Sequence, residues 1–226
     1  MPYALMSSGG KDGTLALDRA RRQGLDVRWM GCVFEGNTGR LRFHGVRHDL
    51  IAAQARALGL EPVLTRTHPD DFETAFGRLL VGLRKRGCDG LLFGNISLAD
   101  VRAWYEERVT RVGLEHRELL WGEPSMELVY EIVERGYRAL VVSVHLDMRA
   151  VPFLGRELDA DLLTDIGITD DLDPCGERGE YHTFVFDGPE FQTPVPFDIG
   201  RQVTREGHRY IDLVPGSRRQ VVGGGE

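Results

Sequence analysis

Apolar segments of strand length alternate with segments that have the period of an amphipathic helix through the first 122 residues of the chain. Such alternation is typical of a parallel sheet whose strands are joined by right-handed helical crossovers. The predicted strands cover residues 3–6, 27–34, 62–67, 91–93 and 117–121. The helical patterns between them cover residues 12–23, 50–58, 69–83 and 98–111, and the third of these helices is expected to have Pro69 in its first turn. The first half of the chain is therefore predicted to form an α/β domain with a five-stranded parallel sheet.

The second half of the chain has a different pattern. Its predicted elements, in chain order, are a helix over residues 124–134, a strand over 139–144, an acidic stretch rich in turn residues over 159–180, a strand over 183–186 and a hairpin around Arg205-Glu206-Gly207. We expect a smaller α+β domain over residues 123–226, packed on a first domain over residues 1–122.

Charged residues are divided unevenly between these two halves. Residues 1–122 carry 18 basic and 15 acidic side chains, whereas residues 123–226 carry 10 basic and 20 acidic ones. Because surfaces that bind nucleic acid are basic, the acidic second half argues against a nucleic-acid partner. Only two of the 28 basic residues are lysines, Lys11 and Lys85. This arginine bias is typical of GC-rich genomes and favours a bacterial source.

Cysteine usage and hydropathy argue against several other classes of protein. Cys32, Cys88 and Cys175 are odd in number and form no CxxC pair, so neither a disulfide framework nor a cysteine zinc site is indicated. No apolar run approaches the roughly 18 residues of a membrane helix. The first residues lack the basic and then apolar regions of a signal peptide. We therefore expect a cytoplasmic protein with reduced thiols and no membrane partner.

The strongest local signal is the segment Ser8-Gly9-Gly10-Lys11-Asp12-Gly13-Thr14, between the first predicted strand and the first predicted helix. Glycines let backbone N–H groups approach an anion closely, a helix N-terminus adds partial positive charge, and Lys11 adds a full one. The segment is neither a Walker A loop nor a GxGxxG dinucleotide turn. A plain glycine-rich turn would explain the glycines alone. One of the two lysines falls here, which favours a cradle for phosphate.

A second motif covers residues 173–183, DPCGERGEYHT. It places Glu177, Glu180 and His182 on a loop with two glycines, where they can supply metal ligands, a proton acceptor or a seat for a cation. Solvated turn carboxylates and a histidine bonded to backbone would explain the same residues. Cys175 is expected to be a small buried thiol rather than a nucleophile, because no partner for it can be identified.

Together the two motifs resemble a known family. Residues 8–12 are similar to the SGGxDS loop of the PP-loop ATP pyrophosphatases. Further segments resemble the ATP-binding branch of that superfamily that includes diphthine–ammonia ligase, the amidating enzyme of diphthamide synthesis. These segments are residues 43–47 (FHGVR), 93–96 (FGNI), 105–108 (YEER), 120–122 (LWG), 153–156 (FLGR) and 175–189. Their order and spacing are specific, and the resemblance covers about residues 3–191.

The resemblance implies a fold and a reaction. The fold would be HUP/PP-loop-like, with a five-stranded parallel sheet sandwiched by helices and a smaller C-terminal α+β domain, and the active cleft would lie between the domains. ATP, with Mg²⁺, would be cleaved to AMP and pyrophosphate as a carboxylate acceptor is adenylated. Ammonia would then displace AMP to form an amide.

The resemblance also implies roles for residues of this chain. The pyrophosphate would be held by Ser8, Gly9, Gly10, Lys11 and Asp12. The nucleotide would lie near His44, Gly94 and Asn95. The acceptor would be faced by Glu177, Glu180, His182 and Thr183. Among all of these, the residues expected to act in catalysis are Lys11, Asp12, Glu180 and His182, and no metal ligand is assigned.

Trp121 and the acidic second half add one expectation about the acceptor. A domain with excess negative charge suits a cationic acceptor, and the ring of Trp121 or Tyr181 would add a cation–π contact worth roughly 0.5–2 kcal/mol. Trp121 is therefore a candidate substrate-binding residue. Packing at the end of a strand would explain Trp121 equally well.

The sequence departs from the family pattern at two positions. Gly13 stands where the loop of the family ends in serine, which removes a hydroxyl donor and leaves open whether Thr14 replaces it. Asn95 stands where the family commonly has aspartate, so this position brings no negative charge to magnesium. Both departures leave open a module that binds or senses ATP without turnover. A PP-loop tRNA-modifying enzyme such as a thiolase is a further alternative, which the unpaired cysteines disfavour.

Overall fold

A computed structural model describes residues 1–68 and 71–216, so the predicted helix start at Pro69 and Asp70 lies outside the described residues. The first sheet consists of β1 (Pro2–Met6), β2 (Asp26–Glu35), β3 (Glu61–Thr67), β4 (Gly90–Phe93) and β5 (Glu115–Glu118). Its helices are α1 (Lys11–Arg22), α2 (His48–Ala57), α3 (Phe72–Lys85) and α4 (Ala99–Arg111). All five strands are parallel, in the order β3-β2-β1-β4-β5. The predicted α/β class, with a five-stranded parallel sheet between helices, is confirmed.

The central strands β1 and β4 are apolar along their whole length because helices cover both of their faces. Successive side chains of a strand point to opposite faces. Accordingly, Leu5 and Leu92 pack in one cluster with α1 and α2, whereas Ala4 and Leu91 pack in another with α3. Parallel strands buried on both faces read as continuous apolar runs, which is the pattern seen in the sequence.

A second sheet follows helix α5 (Ser125–Glu134). Its strands are β6 (Arg138–His145), β7 (Tyr181–Asp187), β8 (Phe197–Arg205) and β9 (His208–Pro215). They are antiparallel and lie in the order β7-β6-β9-β8. Between β8 and β9 the chain turns at Glu206 and Gly207, which both have positive φ, at 50° and 77°. The predicted hairpin is confirmed, as is the α+β character of this region.

The predicted position of the fifth strand is wrong. β5 covers Glu115–Glu118 rather than residues 117–121, and Glu115 is paired with Gly90. Leu120 leaves the sheet and is fully buried in a cluster with Leu128 and Ile132 of α5. The strand lies at an edge of the sheet and is only half-buried, so polar residues form it while the apolar residues that follow pack elsewhere.

The acidic stretch predicted to be rich in turns contains a helix. A single 3₁₀ turn at Val151–Phe153 precedes this stretch. Helix α6 (Ala160–Ile168) begins after Asp159, whose side chain accepts a hydrogen bond of 2.9 Å from the backbone N–H of Leu162. Leu162, Leu163 and Ile166 form its buried face. An aspartate cap of this kind is a usual start signal for a helix. Within residues 1–68 and 71–216, no helix has the length and apolar character needed to cross a membrane.

The two sheets share a continuous apolar core. Leu5 and Ile51 of the first half pack in the same cluster as Val142, Phe184 and Ile211 of the second half. The second sheet thus covers the outside of α1 and α2 and closes the region above the end of β1. The division into domains at residues 122 and 123 stays a prediction.

A buried carboxylate links α1 to the second half. Asp18 of α1 is fully buried and accepts hydrogen bonds from the hydroxyl of Tyr137, at 2.9 Å, and from the guanidinium groups of Arg22, at 2.8 Å, and Arg135. Burial and the Asp18 charge raise the pKa of Tyr137, which therefore stays a hydrogen-bond donor. This cluster fixes the start of β6 against the middle of α1.

Candidate functional site

The main cavity lies at the carboxyl end of the parallel sheet. It has a volume of about 620 Å³ and is lined by the segments that follow β1, β2 and β4, and by residues 175–177 and 181–183. In the order β3-β2-β1-β4-β5, the direction in which the chain adds strands reverses between β1 and β4. Open α/β sheets bind their ligands at such a switch point. A substrate is therefore expected in this cavity.

The segment between β1 and α1 presents free backbone donors to the cavity. The N–H groups of Gly10 and Gly13 donate to no acceptor among the described residues, and both residues line the cavity together with Ser8. The first N–H groups of a helix have no partner within the helix, and the helix dipole places partial positive charge there. The geometry is that of an anion-binding site.

Gly9 holds this segment against the second sheet. Its φ is +85°, and its carbonyl accepts hydrogen bonds of 2.9 Å from both the backbone N–H of Val185 and the side-chain amide of Gln54. A Cβ at this position would lie 2.6 Å from Cδ1 of Ile51. Only glycine satisfies both the backbone conformation and the packing. Gly9 does not itself line the cavity, so it shapes the site rather than facing a ligand.

Lys11 is the buried cation of the site. Its side chain is almost fully buried, and its ammonium group donates to Asp12 at 2.9 Å and to the carbonyl of Cys175, and lies 5.1 Å from the centre of the Tyr181 ring. Burial opposes the charge on Lys11, but Asp12 holds its pKa above the usual value. The backbone N–H of Lys11 donates to the hydroxyl of Thr183 at 3.0 Å. Residues of the second motif therefore hold both the backbone and the side chain of Lys11 in the first motif.

Asp12, Glu35 and Glu177 are carboxylates that line the cavity, and the first and last of them lie close enough for their charges to interact. Glu177 accepts hydrogen bonds from the backbone N–H groups of Ile96, at 3.3 Å, and Ser97, at 3.2 Å, which ties residues 173–180 to the segment after β4. Burial and the nearby charge of Asp12 raise the Glu177 pKa. Burial also raises the Asp12 pKa, against the effect of Lys11. Two such carboxylates favour a cation between them, although the described residues contain no group of three or more metal-binding side chains.

Glu180 lies outside the cavity. Its carboxylate is buried and accepts hydrogen bonds of 2.9 Å from the backbone N–H of Asp173 and 3.1 Å from that of Arg178, and a third of 2.9 Å from the Arg178 side chain. It does not line the cavity. These bonds close the loop that carries Glu177, so Glu180 positions this loop, and its role in catalysis and acceptor binding stays a prediction.

His44 and His182 form a close pair on the cavity wall, with their ring planes tilted by 34°. Their ring centres lie 4.1 Å apart, and Nδ1 of His44 has no hydrogen-bond partner among the described residues. Burial, followed by the positive charge of Lys11, lowers the His44 pKa to about 3. Burial and the neighbouring His44 ring lower the His182 pKa well below its usual value. Both rings are therefore neutral near pH 7.

This pair predicts an acid-sensitive stability. Below pH 6.5 both histidines of the unfolded chain take up protons, whereas in the folded chain His44 does so only near pH 3. The contribution of this pair to the free energy of unfolding is therefore fully present above pH 6.5 and is lost as the pH falls. Each histidine contributes a slope of up to about 1.4 kcal/mol per pH unit. In urea titrations between pH 7 and pH 4.5, His44→Gln/His182→Gln should flatten this dependence. The exposed control His68→Gln should keep it, and an unchanged slope in the double variant would contradict the assignment.

Gly94 and Asn95 follow β4 and meet the start of α1. A Cβ on Gly94 would lie 2.6 Å from the backbone N of Gly13. The side-chain amide of Asn95 donates to Glu118 at 2.7 Å, and the side chain of Glu118 is only 1% exposed. An aspartate at position 95 would place a second negative charge against this buried carboxylate. The departure from the family pattern at Asn95 thus has a local electrostatic reason.

Replacing Gly94 by alanine should therefore disrupt the site. The added methyl group would push the segment after β4 away from Gly13, and we expect a loss of about 1–3 kcal/mol in the free energy of unfolding and weaker nucleotide binding. The matched control is Gly77→Ala in the middle of α3, where a Cβ would meet no atom within 4 Å. That change should stabilise the helix by up to about 1 kcal/mol. Equal unfolding midpoints for the two variants would refute the close-contact argument.

Trp121 lies outside the cavity. The guanidinium group of Arg102 stacks over its ring at 4.5 Å, and neither residue lines the cavity. The role of Trp121 in substrate binding stays a prediction. The remaining predicted residues, which are Ser8, Gly10, Lys11, Asp12, His44, Gly94, Asn95, Glu177, His182 and Thr183, line one cavity.

Sequence reasoning missed an apolar wall of the cavity. This wall consists of Cys32, Val33, Phe72, Phe93 and Tyr105. Three of these residues lie at the carboxyl ends of β2 and β4, which is the edge at which parallel sheets bind ligands. Their position at the ends of two predicted strands could have indicated this wall from the sequence. A flat apolar wall beside an anion-binding loop suits a nucleobase joined to phosphates.

Fold and loop together are of the PP-loop type. Among family models, that of the diphthamide synthase N-terminal domain matches residues 1–116, and that of the diphthamide synthase C-terminal domain matches residues 124–215. The chain therefore belongs to the diphthamide synthase family.

Curated relatives of the chain are named diphthine–ammonia ligase. The Bos taurus protein is 25% identical over 163 residues, which cover 71% of this chain and 61% of that protein. The Homo sapiens protein is 26% identical over 153 residues, which cover 66% of this chain and 57% of that protein. The chain thus spans about 60% of the length of these relatives.

Two solved structures are similar in fold. One is described as a predicted subunit of tRNA methyltransferase from Methanocaldococcus jannaschii, with 15% identity and a TM-score of 0.44 over 82% of this chain and 96% of that chain. The other is the U34-tRNA thiolase NcsA from Methanococcus maripaludis, with 18% identity and a TM-score of 0.38 over 59% of this chain and 56% of that chain.

Proposed function

We propose that the chain is an ATP-dependent ligase that joins ammonia to a carboxylate and releases AMP and pyrophosphate. The observation that carries this proposal is the buried ammonium of Lys11 beside the free backbone N–H groups of Gly10 and Gly13, at the switch point of the sheet. Membership of the diphthamide synthase family and similarity to diphthine–ammonia ligases support the same reaction class.

The cavity suits ATP in one orientation. The adenine would lie against the apolar wall near Cys32, Phe93 and Tyr105, and the β- and γ-phosphates would accept hydrogen bonds from the loop and Lys11. Asp12 and Glu177 are the carboxylates that would hold Mg²⁺, whose chemistry there is to neutralise phosphate charge. This arrangement leaves the α-phosphorus open towards residues 181–183.

The reaction then has two steps. An oxygen of the acceptor carboxylate attacks the α-phosphorus, the bond to the β-phosphate oxygen breaks, and pyrophosphate leaves with that electron pair while Lys11 balances its charge. Ammonia next attacks the acyl carbon, and AMP leaves as the amide forms. The negative charge of a bound nucleotide raises the pKa of His182 towards the range in which the ring accepts the proton that ammonia loses.

Other predicted residues take supporting parts in this proposal. Thr183 holds the start of α1 through the Lys11 backbone N–H, and Glu180 fixes the loop that presents Glu177. Trp121 would reach an acceptor only if the acceptor extends beyond the cavity. The acceptor is the carboxylate of a small molecule or of a modified protein side chain.

Two alternatives give different products. A thiolase requires a cysteine that can carry sulfur, but Cys32, Cys88 and Cys175 are all buried, and burial raises the pKa of the Cys175 thiol. A sensor binds ATP and does not turn it over, and the neutral side chain of Asn95 is the feature that favours it.

Labelled ATP tests the proposal. The protein is incubated with Mg²⁺, ammonium, a panel of carboxylic acids that includes diphthine peptides, and ATP labelled either at the α-phosphate, to follow AMP, or at the γ-phosphate, to follow pyrophosphate. Products are separated by chromatography. The ligase predicts equal amounts of AMP and pyrophosphate, with amide formation only when ammonium is present. ADP as product would contradict the proposal, and stoichiometric binding with no product across the panel would favour the sensor.

A further inference from the structure

Ser7 is the residue that immediately precedes the phosphate loop, and it occupies the space of a side chain that the loop lacks. A Cβ built on Gly13 would lie 2.6 Å from Oγ of Ser7 and 3.2 Å from its Cβ. These separations are shorter than normal contacts between side chains. A side chain at position 13 would collide with the hydroxyl of Ser7 in its present position, so the residues at positions 7 and 13 are sterically coupled.

The hydroxyl of Ser7 has a free proton. Its oxygen accepts a hydrogen bond of 3.0 Å from the backbone N–H of Gly9, and the backbone N–H of Ser7 donates to the carbonyl of Gly31 at 3.1 Å, which anchors the residue at the end of β1. Among the described residues, the hydroxyl donates to no acceptor, although the side chain is buried and lines the cavity. An oxygen-rich anion in the cavity would be its natural acceptor.

Thr14, the other neighbouring hydroxyl, is already engaged. Its side chain donates to the carbonyl of Gly10 at 3.0 Å, is almost fully buried and does not line the cavity. Thr14 therefore stabilises the first turn of α1 and has no proton to offer to a ligand. Of the two candidates for the missing hydroxyl donor, only Ser7 faces the cavity with a free proton.

We propose that Ser7 is a phosphate-binding residue that replaces the hydroxyl absent at Gly13, and that it donates to the outer phosphates of ATP. This inference rests on the proposed function, because it requires that the loop bind a polyphosphate. It predicts that the hydroxyl can be moved from position 7 to position 13 if the crowding between the two side chains is relieved.

Affinities for ATP, pyrophosphate and AMP, measured by calorimetry with Mg²⁺ and without acceptor, test the proposal. Ser7→Ala should weaken ATP and pyrophosphate binding about tenfold or more, because a hydrogen bond to a charged group is lost, and should leave AMP affinity within twofold. Gly13→Ser alone should lower the melting temperature. Ser7→Ala/Gly13→Ser should return ATP affinity to within about threefold of the parent. Thr164→Ala, at an exposed hydroxyl of α6 outside the cavity, is the matched control and should bind like the parent.

Several results would overturn the proposal. Unchanged ATP affinity in Ser7→Ala, or an equal loss of AMP affinity, would show that the hydroxyl does not touch the outer phosphates. A double variant that binds no better than Ser7→Ala would refute the exchange between positions 7 and 13. If Lys11→Ala loses ATP while Ser7→Ala does not, only this inference fails. A folded parent protein that binds no ATP would remove the proposed function as well.

Discussion

Replacing Lys11 by alanine should lower both ATP affinity and kcat/KM by roughly 10- to 150-fold. Hydrogen bonds between a charged donor and a phosphate contribute on the order of 1.5–3 kcal/mol, which corresponds to this range of rates. The other cationic side chain that lines the cavity within residues 1–68 and 71–216 is Arg42, and it is exposed. No buried cation is therefore available to take over the role of Lys11.

The matched control is Lys85→Ala. It removes the other lysine of the chain, which is exposed at the last turn of α3, and should leave ATP affinity unchanged. Circular dichroism and a melting curve establish that the Lys11 variant is folded. A folded Lys11→Ala protein with the ATP affinity and turnover of the parent would exclude the loop from the mechanism.

Replacing Asp18 by asparagine should have the largest effect on stability. The change removes the charge that faces Arg22 and Arg135 and weakens the bond from Tyr137, all in a fully buried position. Because the side chains of Arg22 and Arg135 are 61% and 22% exposed, solvent screens part of the loss, and we expect a cost of about 2–3 kcal/mol. For a chain of this size, the melting temperature should fall by roughly 4–12 °C.

The control for this prediction is Asp26→Asn. Asp26 pairs with Arg28 at the surface, and both side chains are about half exposed. Exposed pairs are screened by solvent, so the midpoint of urea unfolding should stay at the parent value. If Asp18→Asn unfolds at the same urea concentration as Asp26→Asn, the buried cluster does not hold the two halves of the chain together.

The parallel sheet could be predicted from sequence because its central strands are buried on both faces. β1, β2 and β4 are apolar runs between helical patterns, and the structure has them at the predicted places. The fifth strand was misplaced because an edge strand needs little apolar surface, so its polar residues resemble a loop. Helix α6 is not predicted because the acidic residues around it resemble those of a turn region, although Leu162 and Ile166 belong to a buried helical face.

The site could be predicted in part. The position of residues 8–12 between a strand and a helix was sufficient to indicate an anion-binding loop. Sequence could not separate Glu177 from Glu180, since both are carboxylates on one short loop and only the folded chain shows that Glu180 is used internally. The contribution of Ser7 was equally hidden, because it depends on a distance to Gly13 across the end of β1.

The hydrogen bonds from Val185 to Gly9 and from Lys11 to Thr183 have a consequence for protein engineering. The segment between β1 and α1 belongs to one half of the chain, but β7, the strand that holds it, belongs to the other. A chimaera that takes only residues 1–122 from a homologue would pair the segment of the homologue with the β7 strand of this chain. Modular exchange should therefore succeed only when both halves are transplanted together.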